Sequence, residues 1–340
     1  MINAQELNND ISKKLSFFML GFILIVVLFH SDFRYYYPFI EDLTAVSTSY
    51  FFCVSAFFFY KGLNKKNFII RLRKRCITLL LPYLLWNLLY MIFYCQFYDL
   101  SLINIVKGFT VNPLCTPSWY LLTLFIFFVP ASIMKRFMQK KYTAFLLLIL
   151  GIVISYSGYI RFQHSLATIP IVGGYLIRMA EYLTPYLIGG IIGTWFSTKL
   201  NVTWKNCIIG TICSFSIFTL LLCDISLEIR WFLWVLLPLS LWETVPEKIF
   251  CHINFLHLFT EPAFLINMMH CYFMFLWGLF AQKFELVTGK YLSVLNVALT
   301  LISSYLLFYL LKLLVPRLLN ILTGNRIREK NKPVSFPDRL

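Results

Sequence analysis

The chain has 340 residues, of which 59% are hydrophobic, 19% aromatic and only 13% charged, and its formal net charge is +15. A soluble domain of this size cannot hide so much apolar surface from water, so the composition excludes a soluble globular enzyme and indicates a protein whose solvent is lipid. The basic residues fall almost entirely between apolar stretches, so their charge does not indicate a nucleic-acid partner.

Apolar stretches long enough to cross a bilayer, about 20 residues each, recur along the chain. We predict spans near 15–31, 45–62, 76–96, 118–134, 143–160, 181–197, 206–223, 229–242, 263–282 and 292–315. The eighth is short, and the half-polar segment 243–262 is predicted to lie in the interface. The predicted fold class is therefore an all-α polytopic membrane protein with about ten transmembrane helices.

The Lys and Arg residues predict the orientation of these spans, because cytoplasmic loops carry the excess of positive charge. With the N-terminus inside, most of the 30 Lys and Arg residues lie in segments that face the cytoplasm. The first apolar run follows Lys13 and Lys14 and lacks a small-residue cleavage site, so we interpret it as a retained span. Ten spans then place both termini in the cytoplasm, with a transmembrane domain over 1–316 and a polar cytoplasmic tail over 317–340.

Soluble catalytic motifs and metal-ligand spacings are absent from the sequence. The nine Cys residues are scattered through apolar runs, which is typical of small, buried, reduced thiols, and no metal site is predicted. Chemistry must therefore be sought among polar residues that stand in apolar surroundings, because such residues are costly in a membrane.

Two His residues stand in apolar spans. His30 ends the run LGFILIVVLFH and is predicted to lie toward the outer face. A His is the usual general base near neutral pH, although an interfacial His that hydrogen-bonds a neighbouring helix is the alternative. His270 lies near the middle of the ninth span, where a structural interhelical hydrogen bond and a role in the site both stay open.

A basic run, RLRKR, stands directly before the predicted third span and contains Arg71, Arg73, Lys74 and Arg75. Such a run sets topology and contacts anionic lipid headgroups. Arg also offers phosphate a bidentate pair of donors, so the run is a candidate clamp for a cytosolic anion. The spacing alone does not separate these two roles.

Three further segments mix small, polar and aromatic residues. They are FFCVSAFFFYKG with Ser55, PSWYL with Trp119, and YLTPYLIGGIIG with a small-xxx-small face from Gly189 to Gly193. Close helix packing and interfacial anchoring explain all three adequately.

Several of these segments together carry a resemblance to a known family. After the run that ends at His30 come FFCVSAFFF, RKRCITLLLPYLLWN, PSWYL, PYLIGG and FLINMMH. In order and setting they resemble the membrane-bound acyltransferase family 3, the multispanning O-acyltransferases of bacterial envelope glycans, over nearly the whole chain. Ala56 departs from the family pattern, where Gly usually follows the Ser. Leu122 and Thr123 stand where many relatives carry Arg and Asp, so we assign no substrate contact there.

The resemblance implies roles for particular residues. His30 would be the general base, and Arg75, helped by Arg71, Arg73 and Lys74, would bind the donor, since the family's Arg-x-x-Arg pattern is imperfect here. Second-tier roles in lining or orienting the site fall to Ser55, Trp119 and His270.

The resemblance also implies a reaction and its partners. The donor substrate would be cytosolic acetyl-CoA or another acyl-CoA, with no bound cofactor and no metal. The acceptor would be a hydroxyl of an envelope polysaccharide or lipid-linked glycan, and the protein would lie in the bacterial inner membrane. A transporter or flippase for a glycan or lipid intermediate is the alternative, and a structural subunit of a membrane assembly is a third class. The absence of a convincing internal repeat weighs modestly against transport.

Overall fold

A computed structural model gives the architecture and describes residues 4–61, 68–95, 101–110, 113–160, 173–196, 202–251, 256–283 and 290–324. Within these ranges the chain is almost entirely helical and contains no strand. The predicted all-α class is confirmed.

The α-helices follow one another with short connections. They are α1 Ala4–His30, α2 Phe33–Tyr36, α3 Phe39–Lys61, α4 Phe68–Arg75, α5 Leu81–Tyr94, α6 Leu102–Thr110, α7 Trp119–Met138, α8 Lys141–Ile160, α9 Gly173–Glu181, α10 Leu183–Ile191, α11 Trp204–Leu221, α12 Leu227–Glu243, α13 Leu256–Thr260, α14 Ala263–Lys283, α15 Lys290–Leu314 and α16 Pro316–Leu322. Two π-helical turns, Cys76–Leu80 and Ile192–Phe196, join α4 to α5 and extend α10. Short 3₁₀ helices occupy Thr116–Ser118 and Glu247–Cys251.

The chain is a multi-pass membrane protein. Seven stretches in the described residues are long and apolar enough to cross a bilayer: Ile11–His30, Phe39–Lys61, Phe68–Tyr94, Thr116–Met138, Trp204–Leu221, Ala263–Ala281 and Leu292–Leu314. Lys141–Ser157 and Leu183–Phe196 are apolar but shorter. Helix α12 occupies the predicted eighth span with 17 residues. A helix thus occupies each predicted span, while the total of ten and the position of the termini stay predictions.

Helix α11 exposes large apolar side chains and packs with a face of small and polar residues, as expected for a helix in lipid. Its exposed side chains are large and apolar, and they include Trp204, Ile208, Ile212 and Phe215 at helical spacing. The opposite face is small and polar: a Cβ at Gly210 would lie 2.7 Å from the Glu243 side chain, and Ser214 Oγ donates to Ser240 Oγ at 3.0 Å. Small residues allow α11 and α12 to approach closely, as membrane helices do.

The third span begins earlier than the sequence predicted. Helix α4 starts at Phe68, so the basic run lies on the span itself and not before it. A π-helical turn follows at Cys76–Leu80, and Pro82 stands in the first turn of α5. Because Pro has no N–H for the carbonyl four residues earlier and its ring crowds that carbonyl, a widened turn at this place is expected.

The chain forms two compact units. The first comprises Met1–Lys61, Thr184–Ala263 and Thr288–Val294. Its apolar core lies among α1, α3, α11 and α12 and consists of Phe22, Val46, Tyr50, Leu221, Leu233 and Leu237. Helices α1 and α3 are joined by the Phe22 and Tyr50 rings, whose centroids are 4.6 Å apart, and by the Tyr50 hydroxyl, which donates to the Leu15 carbonyl at 2.9 Å.

The predicted small-residue face packs inside the first unit. A Cβ at Gly189 would lie 1.9 Å from the carbonyl oxygen of Cys53, and one at Gly193 would lie 2.4 Å from that of Phe57. Cys53 and Phe57 are one turn apart, so the two glycines press against the backbone of α3. The close approach of these two glycines therefore runs along Cys53 and Phe57 of α3.

The second unit comprises Gly62–Leu183, Phe264–Val287 and Leu295–Leu340. Within it the indole N–H of Trp86 donates to the Leu322 carbonyl at 3.0 Å, and Leu319 and Leu322 of α16 are buried. The first residues of the predicted tail, 317–340, therefore belong to an ordered helix. Residues 325–340 lie outside the described part of the chain.

Candidate functional site

His30 is the last residue of α1 and of the first apolar span. The helix ends there because Ser31 supplies local alternatives to the helical ladder: its Oγ donates to the Leu28 carbonyl at 2.6 Å and accepts from the Phe33 N–H at 3.3 Å. The chain then turns into α2. The imidazole is half-buried at this bend.

The side chains beside His30 are aromatic and cationic. The Phe29 ring meets the imidazole edge to face, with centroids 5.2 Å apart at 80°. The Arg34 guanidinium lies 5.3 Å from the centroid of Phe29. The imidazole of His30 thus packs against an aromatic ring, and the Arg34 guanidinium lies against the same ring.

The start of the first apolar span, Ile11–His30, is fixed by a buried ion pair. The Nζ of Lys14 donates to Oε1 of Glu247 at 3.0 Å, and both side chains are almost completely buried. The other Glu247 oxygen accepts from the Val202 N–H at 2.9 Å, and Lys14 Nζ lies 4.0 Å from the Trp242 ring centroid. The sequence places Lys14 just before the first apolar run, and Glu247 in the half-polar segment 243–262 that was predicted to lie in the interface. The structure pairs these two side chains, and the pair anchors the helix that carries His30.

A second ion pair lies at the start of α3. Arg230 Nη1 donates to Asp42 Oδ2 at 3.0 Å, and the Trp234 indole N–H donates to Asp42 Oδ1 at 2.8 Å. Both carboxylate oxygens are therefore satisfied, although Asp42 is buried. This pair joins α3 to α12 within the first unit.

The basic run divides into two faces of α4. Arg71, Lys74 and Arg75 stand three and four residues apart and are half-buried, whereas Arg73 is exposed. Residues at this spacing share one face of a helix. We name Arg71, Lys74 and Arg75 the basic face. Arg73, the remaining donor-binding candidate, does not belong to it.

Asn87 fixes the segment that leads to Trp119. Its side-chain amide donates to Ser118 Oγ at 2.9 Å, and its carbonyl oxygen accepts from the Cys115 N–H at 3.2 Å. Asn87, Cys115 and Ser118 are fully buried. Burial raises the pKa of the Cys115 thiol well above its ordinary value, so the thiol stays protonated and its Sγ can donate to the Met268 carbonyl, 3.7 Å away.

Tyr90 binds the backbone of α14 on both sides of His270. Its hydroxyl donates to the Met268 carbonyl at 2.8 Å and accepts from the Tyr272 N–H at 3.1 Å, two groups that stand four residues apart on the helix. His270 lies between them and is fully buried. Its Nδ1 is 3.2 Å from the Ile266 carbonyl, which can only accept, so in the neutral imidazole Nδ1 carries the hydrogen and Nε2 is the basic nitrogen.

Trp119 takes part in an aromatic and cationic group that the sequence did not reveal. Its ring lies 5.9 Å from the Tyr182 ring with an interplanar angle of 33°, and the Arg178 guanidinium lies 4.7 Å from its centroid. The guanidinium stacks over the ring in the geometry of a cation–π interaction. No sequence spacing links Arg178 to Trp119, because they stand on α9 and α7.

The family of the chain follows from its comparison with known proteins. A family model described as an acyltransferase domain matches residues 20–313. The chain belongs to acyltransferase family 3. No curated protein and no solved structure matches it. The match spans every predicted site residue, and a membrane acyltransferase of this family is what the ordered motifs indicated.

The predicted site residues fall in both units of this acyltransferase. His30 and Ser55 belong to the first unit, where Ser55 is half-buried on α3. The basic face, Arg73, Trp119 and His270 belong to the second. Within the second unit the α5 face that carries Asn87 and Tyr90 orders the surroundings of both Trp119 and His270. The catalytic and donor-binding roles themselves stay predictions.

Sequence reasoning missed Asp42, Tyr90 and Arg178. An acid at the start of an apolar helix was a usable signal for Asp42, but the predicted second span began at residue 45 and left it in a loop. Tyr90 looked like one more aromatic residue of an apolar span. Its bonds to the backbone of α14 join residues 178 and 182 positions apart, so no local pattern could reveal them.

Proposed function

We propose that this acyltransferase is an O-acyltransferase of the bacterial inner membrane. It would move an acyl group, acetyl in the first instance, from cytosolic acyl-CoA to a hydroxyl of an envelope polysaccharide or lipid-linked glycan. The observation that carries the proposal is the family match over 20–313, which includes the end of the first apolar span at His30 and the whole of the span that carries the basic face.

The basic face suits the binding of the donor. CoA carries phosphate groups, and Arg presents a planar set of N–H donors that fits phosphate oxygens better than a point charge does. Three cationic side chains on one half-buried face, Arg71, Lys74 and Arg75, can converge on such a group, whereas exposed Arg73 stands on the other side of the helix.

His30 suits the chemical step at the other end of the reaction. In the proposed step its imidazole takes the proton of the acceptor hydroxyl, and the oxygen attacks the carbonyl carbon of the thioester. A C–O bond forms and the C–S bond breaks. The CoA thiolate leaves and takes up the proton from the imidazolium, so His30 returns to its neutral form.

The length of the third span sets the distance that the acyl group has to travel. Arg75 and Tyr90 are 15 positions apart on this helical stretch, or about 22 Å at the usual rise per residue. That is the greater part of a hydrocarbon core of about 30 Å. In this proposal a donor held at the basic face reaches along the third span with its flexible arm, toward the level of Tyr90 and of His270, a second-tier candidate for lining the site.

Transfer of labelled acetyl from acetyl-CoA to envelope glycan tests the proposal. Membranes that contain the wild-type protein should incorporate label, and His30→Ala at matched protein levels should lose it, because the general base contributes about 10²–10⁴-fold to the rate. Label that survives in His30→Ala would remove His30 from this role. No label with the wild type, when the native glycan is present, would favour another acyl donor or transport.

The two faces of α4 provide a matched test of donor binding. Arg75→Gln and Arg71→Gln should raise the KM for acetyl-CoA about 10- to 100-fold, since each removes a charged hydrogen-bond donor. Arg73→Gln changes the same residue type on the exposed face and should leave the KM unchanged. Equal effects of all three substitutions would indicate a general electrostatic attraction in place of a specific site.

A further inference from the structure

The segment that directly follows the His30 bend carries a run of aromatic side chains. Helix α2 and the residues after it read FRYYYPF, from Phe33 to Phe39. Tyr35 is 69% exposed, and Tyr36 and Tyr37 are also exposed. Tyr and Arg are enriched where proteins bind partners, because they offer a large apolar area together with hydrogen-bonding groups. Three exposed tyrosines next to an Arg therefore indicate a binding surface.

Arg34 organises the most exposed ring. Its Nη2 donates to the Tyr35 hydroxyl at 2.9 Å, and its guanidinium lies 4.9 Å from the Tyr35 ring centroid. The guanidinium also lies 5.3 Å from the Phe29 ring. The cation is thus held between two rings, and the bond to Tyr35 uses one of its five N–H donors.

These contacts connect the surface to the proposed general base. The Phe29 ring that carries Arg34 also meets the His30 imidazole at 5.2 Å. On the other side of the turn, the Phe33 and Tyr37 rings stack with centroids 5.2 Å apart at 26°. A continuous series of side chains, Tyr35, Arg34, Phe29 and His30, therefore runs from the exposed surface to the imidazole.

We propose that Tyr35 and Arg34, flanked by Tyr36 and Tyr37, form the platform that binds the saccharide of the acceptor beside His30. A pyranose ring has one face of C–H groups, whose partial positive charge suits the negative face of an aromatic ring. Its rim carries hydroxyl groups, and in acidic sugars a carboxylate, which accept from a guanidinium. The proposal deepens the proposed function and rests on it, because it names the surface that delivers the hydroxyl.

The contacts of Arg34 separate this role from simple anchoring. Tyr residues at a membrane interface hold a helix at the headgroup level through the ring and its hydroxyl. Anchoring does not require a guanidinium fixed across two rings, whereas recognition of a saccharide requires directional donors beside an aromatic face. Tyr35→Leu would keep apolar area for anchoring and remove the aromatic face.

Direct binding of glycan to the full-length protein tests the platform. The probe is cell-envelope polysaccharide from the source cell, de-O-acylated with mild alkali, and its binding to the detergent-solubilised chain is measured by saturation-transfer NMR and titration. The variants are Tyr35→Leu, Tyr35→Phe and Arg34→Gln. Tyr142→Leu, which alters an exposed tyrosine at the start of α8, is the matched control.

We expect the wild type and Tyr142→Leu to bind the polysaccharide alike, and Tyr35→Phe, which keeps the aromatic face, to bind it more tightly than Tyr35→Leu does. Tyr35→Leu and Arg34→Gln should each weaken binding about tenfold, the size expected for loss of an aromatic contact or a charged donor. The proposal is overturned if the wild type does not bind, or if Tyr35→Leu and Arg34→Gln bind as the wild type does. If the platform variants lose binding but the wild type transfers no acetyl, the platform stands and the proposed transfer fails.

Discussion

The first unit contains two ion pairs of the same length and different exposure. Lys14–Glu247 joins α1 to the 3₁₀ helix at 247–251, and Asp42–Arg230 joins α3 to α12, each at 3.0 Å. The side chains of the first pair are 0% and 5% exposed. In the second, Arg230 is 27% exposed and Asp42 is 6% exposed.

The difference shows how one membrane unit can be rigid at one ion pair and adjustable at the other. A pair without water depends wholly on its protein partners, so loss of one charge leaves the other uncompensated. A pair with a half-exposed Arg can exchange protein contacts for water at lower cost. The rigid pair holds the start of the first apolar span, while the adjustable pair joins the start of α3 to α12.

Removal of Glu247 should have the largest effect. Glu247→Ala leaves the buried Lys14 ammonium without its carboxylate and should destabilise the protein by about 3–5 kcal/mol. The measurement is unfolding of the detergent-solubilised protein by heat and by denaturant. Glu41→Ala removes an exposed carboxylate on α3 and should stay within about 0.5 kcal/mol of the wild type.

The double variant Lys14→Met with Glu247→Leu sharpens this result. Replacing both charges by apolar side chains removes the uncompensated ion and should recover most of the lost stability. A loss below about 1 kcal/mol for Glu247→Ala would show that water or lipid headgroups reach Lys14, and the contrast between the pairs would then disappear.

Asp42→Asn should have an intermediate effect. The amide oxygen still accepts one hydrogen bond, but the charge and one acceptor are lost, and Arg230 can turn toward water. We expect a loss of about 2 kcal/mol, measured by the same unfolding experiments with Glu41→Gln as the control. A loss as large as that of Glu247→Ala would mean that exposure of Arg230 does not lower the cost.

Substitution of the Trp beside each ion pair should cause the smallest losses of stability. Here the loss should be larger at the more exposed pair. Trp234→Phe removes the N–H that donates to the Asp42 carboxylate and should cost about 1.5 kcal/mol. For Trp242 no acceptor among the described residues lies within hydrogen-bond distance of Nε1, so Trp242→Phe only weakens the cation–π contact with Lys14, by about 0.5 kcal/mol. Equal effects in thermal unfolding would contradict this assignment.

The fold class and the family were predictable because each membrane span requires a long apolar stretch, which is visible in the local sequence. Each predicted span contains a helix, and the ordered motifs identified the family that matches residues 20–313. The start of the third span was predicted eight residues too late, because the basic run was taken as a loop. Hydropathy undervalues Arg and Lys on the first turns of a membrane helix, where their long stems can follow apolar surface to the interface.

Site residues were predictable only where a residue or run can be recognised from its own place in the sequence. His30 at the end of an apolar run is visible in the sequence, and so is the basic run, although its division into two faces needed the helix to start at Phe68. The partner of Lys14 is 233 positions away, and Arg178 meets Trp119 across two helices. Contacts of this kind depend on packing between distant segments, which periodicity and composition do not encode.

The bonds of α5 also impose an order on biosynthesis. The hydrogen bond of Asn87 to Ser118 joins residues 31 positions apart. The bond of Tyr90 to Met268 spans 178 positions, and the bond of Trp86 to Leu322 spans 236. At about 5–20 residues per second, these separations correspond to delays of about 2–6, 9–36 and 12–47 s. The third span therefore enters the membrane long before two of its polar side chains can meet their partners. Completion of this helix face therefore waits until the ribosome has made the residues of α16.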